Sequence, residues 1–343
     1  MNPETWFHER ATHHVVAELL FHLNQVGVFH TLSDKEALSS AQLAENLNLS
    51  PGILNTCLHY LANVDPILCE PSPNCYQLTP FGAQTLQRFN RKDPTGMHYN
   101  LFDVRVGAYG PVWAKLSGLL KGEEIYGKTL ERAGEKAAKG VYKVAAQLVG
   151  DLLNILDQQK IERLIEVGAP TGISAAVQLA RPQIQTICLD RKQEALDEAQ
   201  MHAESMGANK TQWLKGDLLN AEQWTTEIPE SKARTALVSI HFHEFVVDGG
   251  KRVTVGLAAL AKKLPGLNVI AFEHARLDSK DRSSVSETTW TYSHGNELIH
   301  HLIQNGRILS IDEWTGLFQN VSATNIQVHS LDFLGYSAFC FSL

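Results

Sequence analysis

From Ile161 to the C-terminus, short apolar runs alternate with longer amphipathic segments. The runs are "RLIEVG", "QTICLD", "TQWLKGD", "TALVSIHF", "LNVIAFEH", "ATNIQVHSL" and "LGYSAFCFSL". A strand buried on both faces has no polar side to alternate with, so such runs separated by helices fit a mostly parallel sheet covered on each side. The last two runs lie too close together to hold a full helix between them. They are expected to form an antiparallel terminal pair, one strand inserting beside its predecessor. The predicted class is therefore α/β with a Rossmann-like, seven-stranded, mostly parallel sheet and an antiparallel C-terminal strand.

The part before Ile161 has a different period. "THHVVAELLFHLNQVGVFHTLS" places Val15, Val16, Leu19, Leu20 and Leu23 at helical spacing. Two short helices follow in "SSAQLAENLNLSPGILNTCLHYLANV", the first capped by Ser39 or Ser40 and the second opened by Pro51. "PILCEPSPNCYQLT" then reads as strand, turn and strand. Three helices and a hairpin make the winged-helix pattern, which suggests DNA. The second helix of the pair, however, carries no Lys or Arg, acids outnumber bases over residues 1–100, and the whole chain has a formal net charge of −7. That balance opposes a polyanion. The element is expected to pack against a second subunit instead, giving a homodimer with no nucleic-acid partner. Residues 1–98 are assigned to this α-rich winged-helix domain, and 99–343 to a helical roof followed by the sheet domain.

With 343 residues there is room for two domains, and 44% hydrophobic residues without a low-complexity tract argue for folded structure throughout. No run approaches the ~20 apolar residues of a membrane span, and the N-terminus has no basic and then apolar leader. Five scattered cysteines contain no CxxC pair. A cytoplasmic location is expected, with neither a disulfide framework nor a zinc knuckle.

In open α/β sheets ligands gather at the carboxyl ends of the strands, so candidate residues should follow each strand. Gly168 and Gly172 bracket a turn after the first, and Asp190 closes the second at a distance suited to a ribose diol. Gly216 and Asp217 follow the third, where a carboxylate could meet a purine amino group. His241, His243 and Glu244 follow the fourth. Each has a plainer alternative: a tight turn for the glycines, helix caps for Asp190 and Asp217, exposed polar strand ends for the histidines. The ordered series favours a purine-ribose cofactor, either S-adenosylmethionine or a dinucleotide. His241, His243, Glu244, Glu273 and His274 could together offer metal ligands. Their spacing matches no zinc pattern, and no metal is expected.

The chain resembles the class I methyltransferases, and more narrowly the O-methyltransferases of the caffeate and hydroxyneurosporene type. The winged N-terminal domain, "AYGPVWAKLSGLLKGEEIYGKTL", "IEVGAPTG", "ICLD", "KGDLL", "HFHEF", "VIAFEH" and "GRILSIDEWTGLFQNV" carry the likeness along nearly its whole length. The resemblance implies a cofactor, S-adenosylmethionine, held by Glu166, Gly168, Gly172, Asp190, Gly216, Asp217, Leu218 and Ser239. It implies His243 as general base and Glu273 as the carboxylate that orients it. It also implies a small phenolic, enolic or related hydroxylated substrate, with Tyr109, Trp113, Phe242, Trp290, His294, His301 and Asn305 as candidate pocket residues. Two positions depart from the family pattern. Pro170 stands where the turn carries its central glycine, fixing φ and removing an N–H. Ile308 is the nearest match to a second orienting glutamate. A different reaction on the same cofactor, or a non-catalytic winged-helix scaffold, are the alternatives.

Overall fold

The computed structural model describes residues 2–34, 36–89, 102–168, 171–228, 233–246, 249–304, 308–331 and 334–343. The chain divides into two compact units, Met1–Lys115 with Arg132–Gly140, and Leu116–Glu131 with Val141–Leu343. This division falls later than the boundary expected at 98, with the helical turns Asp103–Ala108 and Gly110–Ala114 grouped in the first unit.

In the first unit, helix Pro3–Gln25 starts where the Asn2 side chain accepts the Glu4 N–H, with Pro3 needing no partner in the first turn. Gly27, at φ +84°, supplies the left-handed turn that ends this segment. Ser39 caps helix Ser40–Leu47, its hydroxyl taking the Gln42 N–H while Gln42 reaches back to the Ser39 N–H. Asn48 leaves that helix at φ +53°, and helix Pro51–Val64 follows. The hairpin of β2 (Leu68–Ser72) and β3 (Cys75–Leu78) is joined by β1 (Leu38–Ser39) on the free edge of β3. Val28, Phe29, Leu43, Leu58, Leu61 and Tyr76 fill the interior between helices and hairpin. The helix and hairpin order is that of the winged-helix expectation.

The second unit is built on seven strands. These are β4 (Arg163–Val167), β5 (Gln185–Asp190), β6 (Gln212–Lys215), β7 (Thr235–Ser239), β8 (Asn268–His274), β9 (Thr324–Ser330) and β10 (Tyr336–Ser342). Their order across the sheet is β6-β5-β4-β7-β8-β10-β9. Neighbours from β6 to β8 pair parallel, whereas β10 runs antiparallel to both β8 and β9. The last strand thus inserts between its two neighbours, as the close spacing of the final runs suggested. Every residue of β4 is buried, which explains its lack of alternation. On one face Trp314, Phe318, Phe339 and Phe341 stack against Leu237, Val269 and helix Lys251–Lys263. From β4 the chain winds outward through β5 and β6, then returns to the other side of β4 for β7 and β8. The crevice at this reversal lies beyond the carboxyl ends of β4 and β7, where Val167 pairs with Ser239.

Among the described residues no helix is long and apolar enough to cross a membrane.

Candidate functional site

Two glycines shape the turn after β4. Gly168 holds φ +96° and Gly172 φ +72°, conformations that favour a residue without a side chain. A Cβ on Gly168 would run into the imidazole of His241, and one on Gly172 into the ring of Tyr142. The turn is therefore lined by two aromatic side chains of the chain itself. Pro170 lies outside the described residues.

Helix Ile173–Ala180 begins at this turn, and Glu166 meets it from β4. Its two carboxyl oxygens accept the N–H groups of Ile173, at 3.1 Å, and Ser174, at 2.6 Å. These are two of the donors that a helix N-terminus would otherwise offer to an anion. Glu166 is 1% exposed, and burial pushes its pKa from 4.5 up to about 7, against the lowering influence of those same hydrogen bonds.

The acids after β5 and β6 turn partly on their own backbone. Asp190 Oδ1 accepts from Lys192 N at 2.8 Å, and Asp217 Oδ1 from Leu219 N at 2.9 Å. Neither is a helix cap: the helix after Asp190 has Lys192 at its N-cap and the helical turn after Asp217 has Asn220, so both acids close short turns on their own backbone instead. Gly216 is seated against Trp224, whose indole N–H donates to the Asp217 carbonyl at 3.0 Å. Leu218, 3% exposed, belongs to the main hydrophobic core. Ser239, 1% exposed, accepts the His241 N–H on its hydroxyl.

After β7 the chain makes a tight helical turn, Phe242–Phe245, over the end of β8. Glu273, fully buried at the end of β8, serves this turn three times. It accepts Phe242 N at 2.8 Å, His243 N at 3.3 Å and His243 Nδ1 at 2.8 Å. A carboxylate is an acceptor, so Nδ1 carries the proton and the basic nitrogen of His243 is Nε2. The two residues expected to act together are therefore in direct contact across adjacent strand ends.

The candidate pocket residues divide. Phe242 is fully buried against Phe318 in the core, a correction to its expected place in a substrate pocket. From the turn after β7 its ring packs into the main hydrophobic core. Trp290 lies at the surface end of helix Glu287–Gln304, its ring 4.2 Å from that of His294, with the Arg282 guanidinium over it. His294 and His301 are exposed. The histidine beside His243 is instead His300, with ring centroids 4.7 Å apart and its Nδ1 2.7 Å from the Asn296 carbonyl. Asn305 falls outside the described residues. In the first unit, Tyr109 accepts a hydrogen bond from Arg132 and Trp113 donates to the Arg105 carbonyl. Ile308 is 1% exposed. Among the described residues no group of three or more His, Cys, Asp or Glu is arranged to hold a metal ion.

No protein-family model matches this sequence, and no curated protein matches it. Solved structures are similar over essentially the whole chain. The mitomycin 7-O-methyltransferase MmcR is 15% identical, covers 99% of this chain with 97% of its own, and superposes with a TM-score of 0.75. Human N-acetylserotonin methyltransferase in complex with SAM is 16% identical, over 100% and 98%, at 0.72. PigF with SAH is 15% identical, over 100% and 99%, at 0.71. At such identities the likeness establishes the fold: a Rossmann-like methyltransferase domain preceded by an α-rich domain.

Proposed function

We propose that the chain is an S-adenosylmethionine-dependent O-methyltransferase acting on a small phenolic, enolic or related hydroxylated metabolite. The observation that carries this reading is the His243–Glu273 pair at the ends of β7 and β8. When bound, S-adenosylmethionine supplies an electrophilic methyl group on a sulfonium sulfur. Glu273 holds His243 in the tautomer whose Nε2 is basic. With such a cofactor bound, that nitrogen would take the proton released from the acceptor hydroxyl.

The residues around the β4 turn fit such a cofactor better than a dinucleotide. A pyrophosphate would seek the N–H groups at the start of helix Ile173–Ala180, and Glu166 already occupies two of them. A ligand whose charge there is positive has no need of those donors. Asp190 and Asp217, with Gly216, Leu218 and Ser239, stand at the neighbouring strand ends for the ribose and purine. A homodimer formed through the first unit belongs to the same reading, supported by exposed Trp6, Phe7, Ile53 and Phe81.

Calorimetric titration with S-adenosylmethionine tests the cofactor, and no heat at millimolar ligand would overturn the proposal. For the base, His243→Ala should keep cofactor affinity within a few-fold and lose roughly 100-fold or more in turnover. Unchanged turnover would reject the assignment. Buried Ile308, at the place of a second orienting glutamate, favours one further reading: a cofactor-binding enzyme of this fold with another reaction. Cofactor binding without transfer to any hydroxylated acceptor is the result expected of it.

A further inference from the structure

We infer that His241 is a cofactor-binding residue, its Nε2 completing a hydrogen bond to the ligand held at the crevice between β4 and β7. The inference rests on the cofactor reading above and assigns a role to a side chain that the His243–Glu273 chemistry does not use.

His241 is placed by backbone, not by chance. Its N–H donates to the Ser239 hydroxyl at 3.1 Å, and its carbonyl accepts the Glu244 N–H at 3.0 Å. These bonds fix the start of the turn after β7 and direct the imidazole across the reversal of strand order onto Gly168. On its other side the ring centroid lies 6.4 Å from that of His243. One imidazole therefore spans from the proposed cofactor turn to the proposed base.

The Nε2 atom is buried and has no hydrogen-bond partner among the described residues. Buried polar atoms in folded proteins are nearly always paired, and the buried acceptors around it, Glu166, Ser239 and Glu273, all accept hydrogen bonds. If covering Gly168 were the whole task, leucine or phenylalanine would do it without an orphaned nitrogen. An unpaired atom at the switch point of the sheet, against a glycine that leaves room for no side chain of its own, is where a ligand's polar group belongs. The chemistry also suits a cationic ligand. Burial lowers the His241 pKa, so the ring is neutral and does not repel a sulfonium or ammonium group. A neutral imidazole offers one donor and one acceptor, and the amino-acid portion and ribose of S-adenosylmethionine carry partners for either.

The test separates binding from packing. His241→Phe keeps an aromatic ring over Gly168 and removes the nitrogen, whereas His241→Gln returns an amide near the position of Nε2. Titration calorimetry should show S-adenosylmethionine bound roughly 10- to 100-fold more weakly by His241→Phe than by wild type, with part of the loss restored in His241→Gln. The ligand-free melting temperature of His241→Phe should be no lower than that of wild type, because an orphaned polar atom has gone. A packing residue would show the opposite pair of results. Equal affinity in His241→Phe and wild type overturns the inference while leaving the cofactor reading intact. Failure of wild type itself to bind overturns both. Should His241→Phe not fold, wild type labelled with 15N-histidine carries the test. The Nε2 resonance absent from His241→Gln should shift on adding cofactor, and an unmoved resonance refutes the assignment.

Discussion

Glu166 gives stability a pH dependence that can be worked from the structure. Its carboxyl is fully enclosed at the start of helix Ile173–Ala180, and burial raises its pKa to about 7. In the unfolded chain the same group titrates at its ordinary 4.5. Between these values the unfolded state has released a proton that the folded state retains, so stability falls as pH rises through this window. Below 4.5 and above about 7 the two states carry equal charge at this group, and its contribution is flat. At about 1.4 kcal/mol per pH unit, the whole interval amounts to about 3.5 kcal/mol. Glu166→Gln removes the titration and adds a fixed penalty, since one amide oxygen cannot serve both Ile173 N–H and Ser174 N–H. A lost partner there costs about 1–3 kcal/mol at every pH. Urea unfolding of both proteins at pH 5, 6, 7 and 8 isolates the group, because other titrations cancel in the difference. Wild type should be the more stable at pH 5, and its advantage should shrink by about 2.5 kcal/mol by pH 8, since part of the window lies below pH 5. Two curves that stay parallel across that range would refute the burial argument.

Two further outcomes follow from the proposed function. Glu273→Gln presents an amide N–H to His243 Nδ1 and drives the proton to Nε2, so turnover should fall roughly 100- to 10,000-fold with cofactor affinity nearly unchanged; steady-state kinetics with a full turnover rate would remove Glu273 from its orienting role. Sedimentation of the purified chain at about 10 µM should give a dimer, which paired Trp6→Glu and Phe7→Glu substitutions should weaken by roughly 10-fold or more. A wild-type monomer at that concentration would dismiss the homodimer.

The fold was legible because its signals are local or repetitive. Seven apolar runs named seven strands, and the short gap before "LGYSAFCFSL" forecast the inserted terminal strand, since too few residues remain for a crossover helix. Caps such as Ser39 with Gln42 are written in four consecutive residues. The unit boundary was less legible. Helical segments near residues 102–115 are amphipathic in either setting, and which core receives them is decided by tertiary contact that no window of sequence contains.

Within the site, strand order placed Glu166, His243 and Glu273, but side-chain direction decided the rest. Helix Glu287–Gln304 carries histidines at 294, 300 and 301. Residues seven apart share a helix face, so Ser293 goes with His300 and His294 with His301. Ser293 is buried and donates to the Ala275 carbonyl, and His300 meets His243; the other pair faces solvent. One residue of offset, about 100° around the helix, separates exposed His301 from His300 beside His243. The same holds after β7, where His241, Phe242 and His243 are consecutive. Phe242 enters the core, while His241 on one side lies over Gly168 and His243 on the other meets Glu273.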